Sequence, residues 1–391
     1  MNVAQSIIGY CTDAGAQQMA RCRLAFYNNQ LAGRGDTVAL MDYAEFSETL
    51  LRLPRPAILF DRTAPHHSLL AEAAFRKRFG NESVIGINGW GEMDGVLERL
   101  GVTDLYNWKK GTRNLKQMAT KARNLVHAIF NGNQPHGSAY ARLAPSLPGK
   151  ANVVPCIVRR LHKGACVEEA ASQLRWALGI PSNATVFGRH GGATTFNIPM
   201  VHRTVCQLAQ QRPDLYFLFL NTKRFCESAP RNIIHLPPTS DLDRKAAFIG
   251  ACDAMLHARA RGETFGLAIA EFSRMGRPVI TSSEAHDRHK ARAHLDILGD
   301  RAILYRDEAT LAHAITSFDR LGRHRPGPSW DAYEVFDPAN VMATFREVFL
   351  RGSPCYQTEP APAVQEVLRK LAAARLRPTK RYNSFTRLAR A

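Results

Sequence analysis

The chain has 391 residues, 45% of them apolar, which suits two globular domains with proper cores. Its apolar runs, such as "LYFLFL" at 215–220, are strand-length, which argues against a membrane-spanning helix. The net charge of +18 attracts polyanions: nucleic acid, an anionic membrane or nucleotide phosphates.

The opening stretch "MNVAQSIIGYCTDAG" has no basic segment followed by a long apolar one, so no signal peptide is expected. The strand candidates of the first half are "SIIGY" (6–10), "TVALMDY" (37–43), "PAILFD" (56–61), "SVIGING" (83–89), "NLVHAIF" (124–130) and "ANVVPC" (151–156). Between them "QQMARCRLAFYNNQLA" and "SLLAEAAFRKRF" read as helices. Gly9 and Gly15 shape either a ligand loop after the first strand or an ordinary turn. Trp90 and Asp94 in "NGWGEMD" follow a strand and are candidates for a cleft wall.

The second half has a clearer rhythm. "ATVFG" (184–188), "LYFLFLN", "NIIHL" (232–236), "AMLHA" (254–258), "PVITS" and "RAILY" (301–305) read as strands. "PMVHRTVCQLAQQ" (199–211), "DLDRKAAFIGA" with its Asp N-cap signal, "TFGLAIAEFSRM" and "EATLAHAITSFDRL" read as the helices between them. Such alternation means a doubly wound parallel sheet. Both halves are therefore α/β, with the boundary expected near 153–164. A further helix is expected at 337–352, after the Pro-rich "RHRPGPSW". The segment 369–391 carries eight Lys and Arg and no acid, and reads equally as a solvated end or a membrane-surface element. The eight cysteines form no CxxC pair, which points to reduced, buried thiols and to no zinc site.

The chemistry concentrates in "GETFGLAIAEF", residues 262–272. In open α/β sheets ligands bind beyond the carboxyl ends of the strands, and helix N-termini there bind phosphates. Backbone amides of Phe265, Gly266 and Leu267 would face such a phosphate. Glu263 and Glu271 are expected near one face, about 12 Å apart at 1.5 Å per residue. One carboxylate could then hold a sugar, and the other a ribose across a pyrophosphate. Two carboxylates beside a pyrophosphate repel it unless cations compensate. Arg189, Lys223, Arg224, Arg259 and Arg261 are within reach in the sequence.

The segment "CDAMLHARARGETFGLAIAEFSRMGRPVI" (252–280) resembles the signature of retaining GT-B glycosyltransferases of the large family-four group. That pattern has an acidic residue before a strand, Glu-x7-Glu around a Phe-Gly, and then Gly-x-Pro-Val. The resemblance covers 184–320 well and is mainly architectural before that. "NLVHAIFNGNQPHG" and "FGRHGGATTFNIP" also look like a poorly characterised branch with bacterial and giant-virus members.

The resemblance implies two Rossmann-like domains facing a cleft. It divides the chain into an acceptor-side domain (1–155), a nucleotide-sugar donor domain (156–336), a crossover helix (337–352) and a basic tail (353–391). It implies that Glu263 contacts the donor sugar and Glu271 the ribose. Phe265, Gly266 and Leu267 contact phosphate or sugar through the backbone, and Arg189 binds the pyrophosphate. The family's usual Lys after that Arg is missing, since Thr194 and Thr195 stand there, so Lys223 is the substitute. His127 is expected to face the reacting sugar, with His136 as its rival.

The implied reaction is metal-independent, retaining transfer of a hexosyl or deoxyhexosyl group. It runs from a nucleotide-diphosphate sugar to a hydroxyl of a glycan or lipid-linked acceptor in polysaccharide biosynthesis, with no further cofactor. "DLD" (241–243) reads as a helix cap, not a metal motif. The implied location is cytoplasmic, with peripheral contact to an anionic membrane. The alternatives are a basic nucleic-acid-binding protein, for which no helix-turn-helix or RNP-type pattern is found, and a sugar-nucleotide epimerase of the same fold.

Overall fold

The computed structural model describes residues 22–161, 165–284, 291–320 and 329–373. "SIIGY", Gly9, Gly15 and the basic end beyond 373 lie outside the described residues. The chain divides into two compact units. One comprises the residues up to Ile157 together with those from Pro338 on, and the other is Val158–Asp337.

In the first unit the strands run β1 Leu24–Asn28, β2 Ala57–Asp61, β3 Val84–Ile87, β4 Asp104–Lys109, β5 Arg123–Ala128, β6 Ala139–Arg142 and β7 Asn152–Val153. They form one parallel sheet in the order β3-β2-β1-β4-β5-β6-β7 among the described residues. Chain order reverses between β1 and β4, which makes their carboxyl ends the switch point of this sheet.

Two expectations fail in this unit. Within the expected helix 17–32, Leu24–Asn28 is a strand with all five residues buried. A central strand covered on both faces reads as a continuous apolar run, which periodicity alone cannot tell from helix. The expected strand 37–43 belongs instead to the helix Gly35–Thr49. Its buried Leu40, Tyr43, Ala44 and Ser47 follow the i, i+3, i+4, i+7 spacing of a helix face. Strands β4 and β6 and the helix Met93–Arg99 were not read from the sequence at all.

That first helix lays Tyr43 on the sheet beside Tyr106 and Phe345, at ring distances of 5.6 and 5.3 Å. Phe345 ends the helix Pro338–Phe345, which continues as a π-turn over Arg346–Leu350. Phe349 of that turn stands edge-on to Tyr106 at 5.5 Å. The result is an aromatic layer on one face of the sheet. The other face buries Ala25, Leu59, Ile87, Met93, Leu97 and Leu105.

In the second unit the strands are β8 Thr185–Arg189, β9 Leu215–Leu220, β10 Ile233–Leu236, β11 Ala254–Leu256, β13 Val279–Ser282 and β15 Ala302–Tyr305. Their order, β10-β9-β8-β11-β13-β15, is again parallel and doubly wound. The two-residue strands β12 Gly262–Glu263 and β14 Ala291–Arg292 pair separately. The helix Pro199–Gln211 matches its sequence reading, and Asp241 caps Leu242–Ala251 by accepting from the amides of Asp243 and Arg244. The switch point lies between β8 and β11.

The thiols differ from expectation. Cys22 pairs with Cys355 and Cys206 with Cys226 as disulfides, with Cα separations of 5.2 and 6.6 Å. The first pair is 333 residues apart, so spacing along the chain held no sign of it. Among the described residues no helix is long and apolar enough to cross a membrane.

Candidate functional site

The site grows from the β8/β11 switch point. β8 ends at Arg189, and β11 leads through His257 and Arg259 to β12. Glu263 is not part of the following helix, which begins at Leu267. The 12 Å helical rise expected between the two glutamates therefore does not apply. Glu263 sits on β12 in register with Arg292 of β14. Gly262 makes that pairing possible. Its φ is +68°, and a Cβ there would lie 1.9 Å from the Ala291 carbonyl oxygen. Gly262→Ala should therefore cost at least about 2 kcal/mol in a urea melt, from left-handed strain plus the clash. An unchanged melt would show that the β12–β14 pair is dispensable.

Glu263 accepts a hydrogen bond from Arg259. Its other oxygen lies 3.5 Å from His257 Nε2, at ion-pair range. Burial alone would raise its pKa, but His257 and the Arg259 charge bring it down to about 2. His257 is oriented in turn by Thr281 Oγ1 at 2.8 Å, and the same hydroxyl lies 3.4 Å from His294 Nε2. Burial, with the neighbouring His257, holds His294 down at about 3.

The helix Leu267–Arg274 starts from Gly266, whose φ of +88° places it in the left-handed region, and no side chain caps it. Its first amides are the unpaired donors that any helix start presents. Phe265 is buried, and its carbonyl accepts from Tyr333 Oη at 3.0 Å, which pins the turn ahead of the helix. One turn inside the helix, Glu271 meets Lys245 Nζ at 2.8 Å and His190 Nε2 at 3.0 Å. Burial works to raise this carboxyl as well, and Lys245 with His190 reverses it to about 2.

Arg189 is 4% exposed. Its guanidinium donates to Thr195, Thr222 and the Gly192 carbonyl, so it ties together the loops after β8 and β9. Thr195 thus receives Arg189 near where the family's pattern has a Lys. Burial lowers the Arg189 pKa to about 10, against the pull of Glu263. Lys223 is exposed, in the loop after β9, with its amide on the Ala193 carbonyl at 2.8 Å.

His127 departs from expectation. It is fully buried in β5 inside the aromatic layer, 4.8 Å from Trp108 and 5.5 Å from Phe349 between rings. Its Nδ1 lies 2.6 Å from Tyr106 Oη, and burial lowers its pKa to about 3. The "LVHAIF" pattern marked a strand end, but tertiary covering by the C-terminal turn made the histidine a core residue. Asp94 is engaged too, accepting from Thr120 and Lys121.

The structure thus gathers Arg189, Glu263, Phe265, Gly266, Leu267 and Glu271 at one end of one sheet. Sequence reasoning missed Lys245, His190, His257, Thr281 and His294. Only His190, quoted in "GRH", lay next to a chosen residue. Lys245 is 26 positions from Glu271, so nothing local announced the pair. Among the described residues no group of three or more His, Cys, Asp or Glu is placed to hold a metal ion.

No protein-family model matches the chain, and no curated protein matches it. Solved structures do. A glycosyltransferase from Rickettsia africae aligns over 86% of this chain and 99% of its own, with 12% identity and a TM-score of 0.58. Anabaena HepE in complex with UDP-glucose aligns over 90% of this chain and 99% of its own, also with 12% identity and a TM-score of 0.58. The same HepE in complex with UDP gives 14% identity and a TM-score of 0.56, over 90% of this chain and all of its own. With the two doubly wound parallel sheets, these likenesses establish the GT-B, Rossmann-like α/β fold.

Proposed function

We propose that the chain is a glycosyltransferase that takes a sugar from a nucleotide-diphosphate donor, with a uridine diphosphate sugar as the first to try. The observation that carries this reading is the pairing of the two glutamates. Arg259 on Glu263 and Lys245 on Glu271 supply the cations that two carboxylates beside a diphosphate require. HepE, which shares the fold, is described in complex with UDP-glucose, and that supports the choice of base.

In this reading Glu263 binds hydroxyls of the donor sugar and Glu271 binds those of the ribose. The amides of Phe265, Gly266 and Leu267 receive the diphosphate at the helix start. As the glycosidic bond breaks, negative charge builds on the leaving diphosphate, and those amides with Lys223 stabilise it. Arg189 contributes its positive charge and holds the surrounding loops. Charge stabilisation by these groups makes the transfer metal-independent. The reaction proceeds with retention, by attack on the face from which the diphosphate leaves. His127 has no place in this scheme while it stays sealed in the aromatic layer. The acceptor hydroxyl, on a glycan or a lipid-linked acceptor, forms the new glycosidic bond and gives its proton to the departing diphosphate.

The test is a titration of UDP, GDP, dTDP and CMP without metal, read by thermal shift. A ligand bound only by the folded state stabilises it by about 2.7 kcal/mol at a hundredfold excess over Kd. One nucleoside diphosphate should raise the midpoint, and Lys223→Met should weaken it by about tenfold. No shift with any diphosphate would end the reading.

A further inference from the structure

The first unit has a switch point of its own, at the carboxyl ends of β1 and β4, and it carries groups whose charge or hydrogen-bonding capacity the fold leaves unmet. Lys109 is the last residue of β4. Its ammonium is half-buried and lies 5.6 Å from the centre of the Trp90 ring. It donates to the Gln117 carbonyl and to Met118 Sδ. Among the described residues no carboxylate comes within ion-pair range of it. Burial without a counter-charge lowers its pKa to about 8.

Trp90 is partly exposed and stands edge-on to Tyr27 of β1 at 4.9 Å. Tyr27 is in register with Asn107, two residues before Lys109 and so on the same face of β4. Asn107 is fully buried, and among the described residues neither atom of its carboxamide has a hydrogen-bond partner. A buried carboxamide left unpaired costs about 1–3 kcal/mol, so it calls for an explanation. His136, 8% exposed, has Nδ1 on the Gln134 carbonyl at 2.7 Å and a buried, unpaired Nε2. That carbonyl keeps the proton on Nδ1, which leaves Nε2 as an acceptor. The Arg113 amide donates to Gln134 Oε1 at 2.8 Å, so Arg113 and His136 both meet Gln134, and the charges of Lys109 and Arg113 add to the lowering of the His136 pKa that burial begins.

A cation without a counter-charge, an aromatic platform and unmet hydrogen-bonding groups of both kinds match one ligand chemistry. We propose that the carboxyl end of the β1/β4 switch binds a sugar bearing an anionic group, carboxylate or phosphate. Lys109 is its counter-charge and Trp90 the surface for its ring. Resting on the glycosyltransferase reading above, this ligand is the acceptor, and the transferase is specific for acidic glycans. Arg113, exposed on the loop after β4 with its amide on Gln134 Oε1, adds a second positive charge to this end of the sheet.

The experiment is calorimetric titration of the full chain with glucuronate, glucose 6-phosphate and glucose, each alongside UDP. At least one of the two acidic sugars should bind about tenfold or more tighter than glucose. Lys109→Met should remove that preference, and Lys109→Arg should keep it, since the charge remains. Glucuronate and glucose 6-phosphate then distinguish a carboxylate from a phosphate. Unfolding midpoints of both variants identify any loss that comes from misfolding, and in that case the Lys109→Arg result decides. Equal binding of glucose, binding of neither acidic sugar, or a preference that survives Lys109→Met would overturn the proposal. Acidic-sugar binding without UDP binding would leave this site standing and remove the donor reading instead.

Discussion

Glu271→Gln should remove nucleotide binding and destabilise the second unit at once. Its carboxylate is 13% exposed, and so is nearly all of Lys245 out of solvent, at 12%. Breaking a buried ion pair by removing one partner costs about 3–5 kcal/mol, because the remaining charge is left uncompensated. The amide of Gln keeps the volume, so the loss reports charge and not a cavity. A urea melt measures it. The double variant Glu271→Gln, Lys245→Met should recover most of that stability, since both charges are gone. It should not recover UDP binding, because the ribose has lost its acceptor. If the double variant binds UDP as tightly as the natural chain, Glu271 is structural and the ribose assignment falls.

Stability should fall steeply as pH drops from about 5 to about 2. Glu263 and Glu271 both stand lowered in the folded chain, from 4.5 to about 2. A carboxyl lowered by folding stabilises the folded state above its unfolded value. That contribution is lost as pH falls through the folded one. Each carboxyl is less than a fifth exposed, at 19% and 13%. A lowering of this size corresponds to roughly 3 kcal/mol per group. Denaturant melts at pH 5, 4, 3 and 2 measure the loss. In Glu263→Gln or Glu271→Gln the slope over this window should shrink, because one titrating group is gone. Equal slopes in all three proteins would mean that neither glutamate is held by its cations in solution.

The second unit was legible because its elements carry local signals. Asp241 caps its helix, a β13 strand follows Gly276 and Pro278, and β9 is six apolar residues in a row. The placement of Glu271 was legible for the same reason, since a carboxylate among Ala268, Ala270 and Phe272 has to be paired. In the first unit the signals were weaker. "LAFYN" and "TVALMDY" are both short apolar runs, and only the sheet and the helix face they join separate them.

The sequence by itself determined the fold class, the alternation of strands and helices in the second unit, and the glutamates at its switch point. The tertiary structure decided the rest. It put Lys245 and His190 on Glu271, Arg259 and His257 on Glu263, and the C-terminal turn over His127. The reason is physical: periodicity and capping are set by neighbours a few residues away. The partner of a buried charge, and whether a histidine meets ligand or core, depends on which distant segments pack against it.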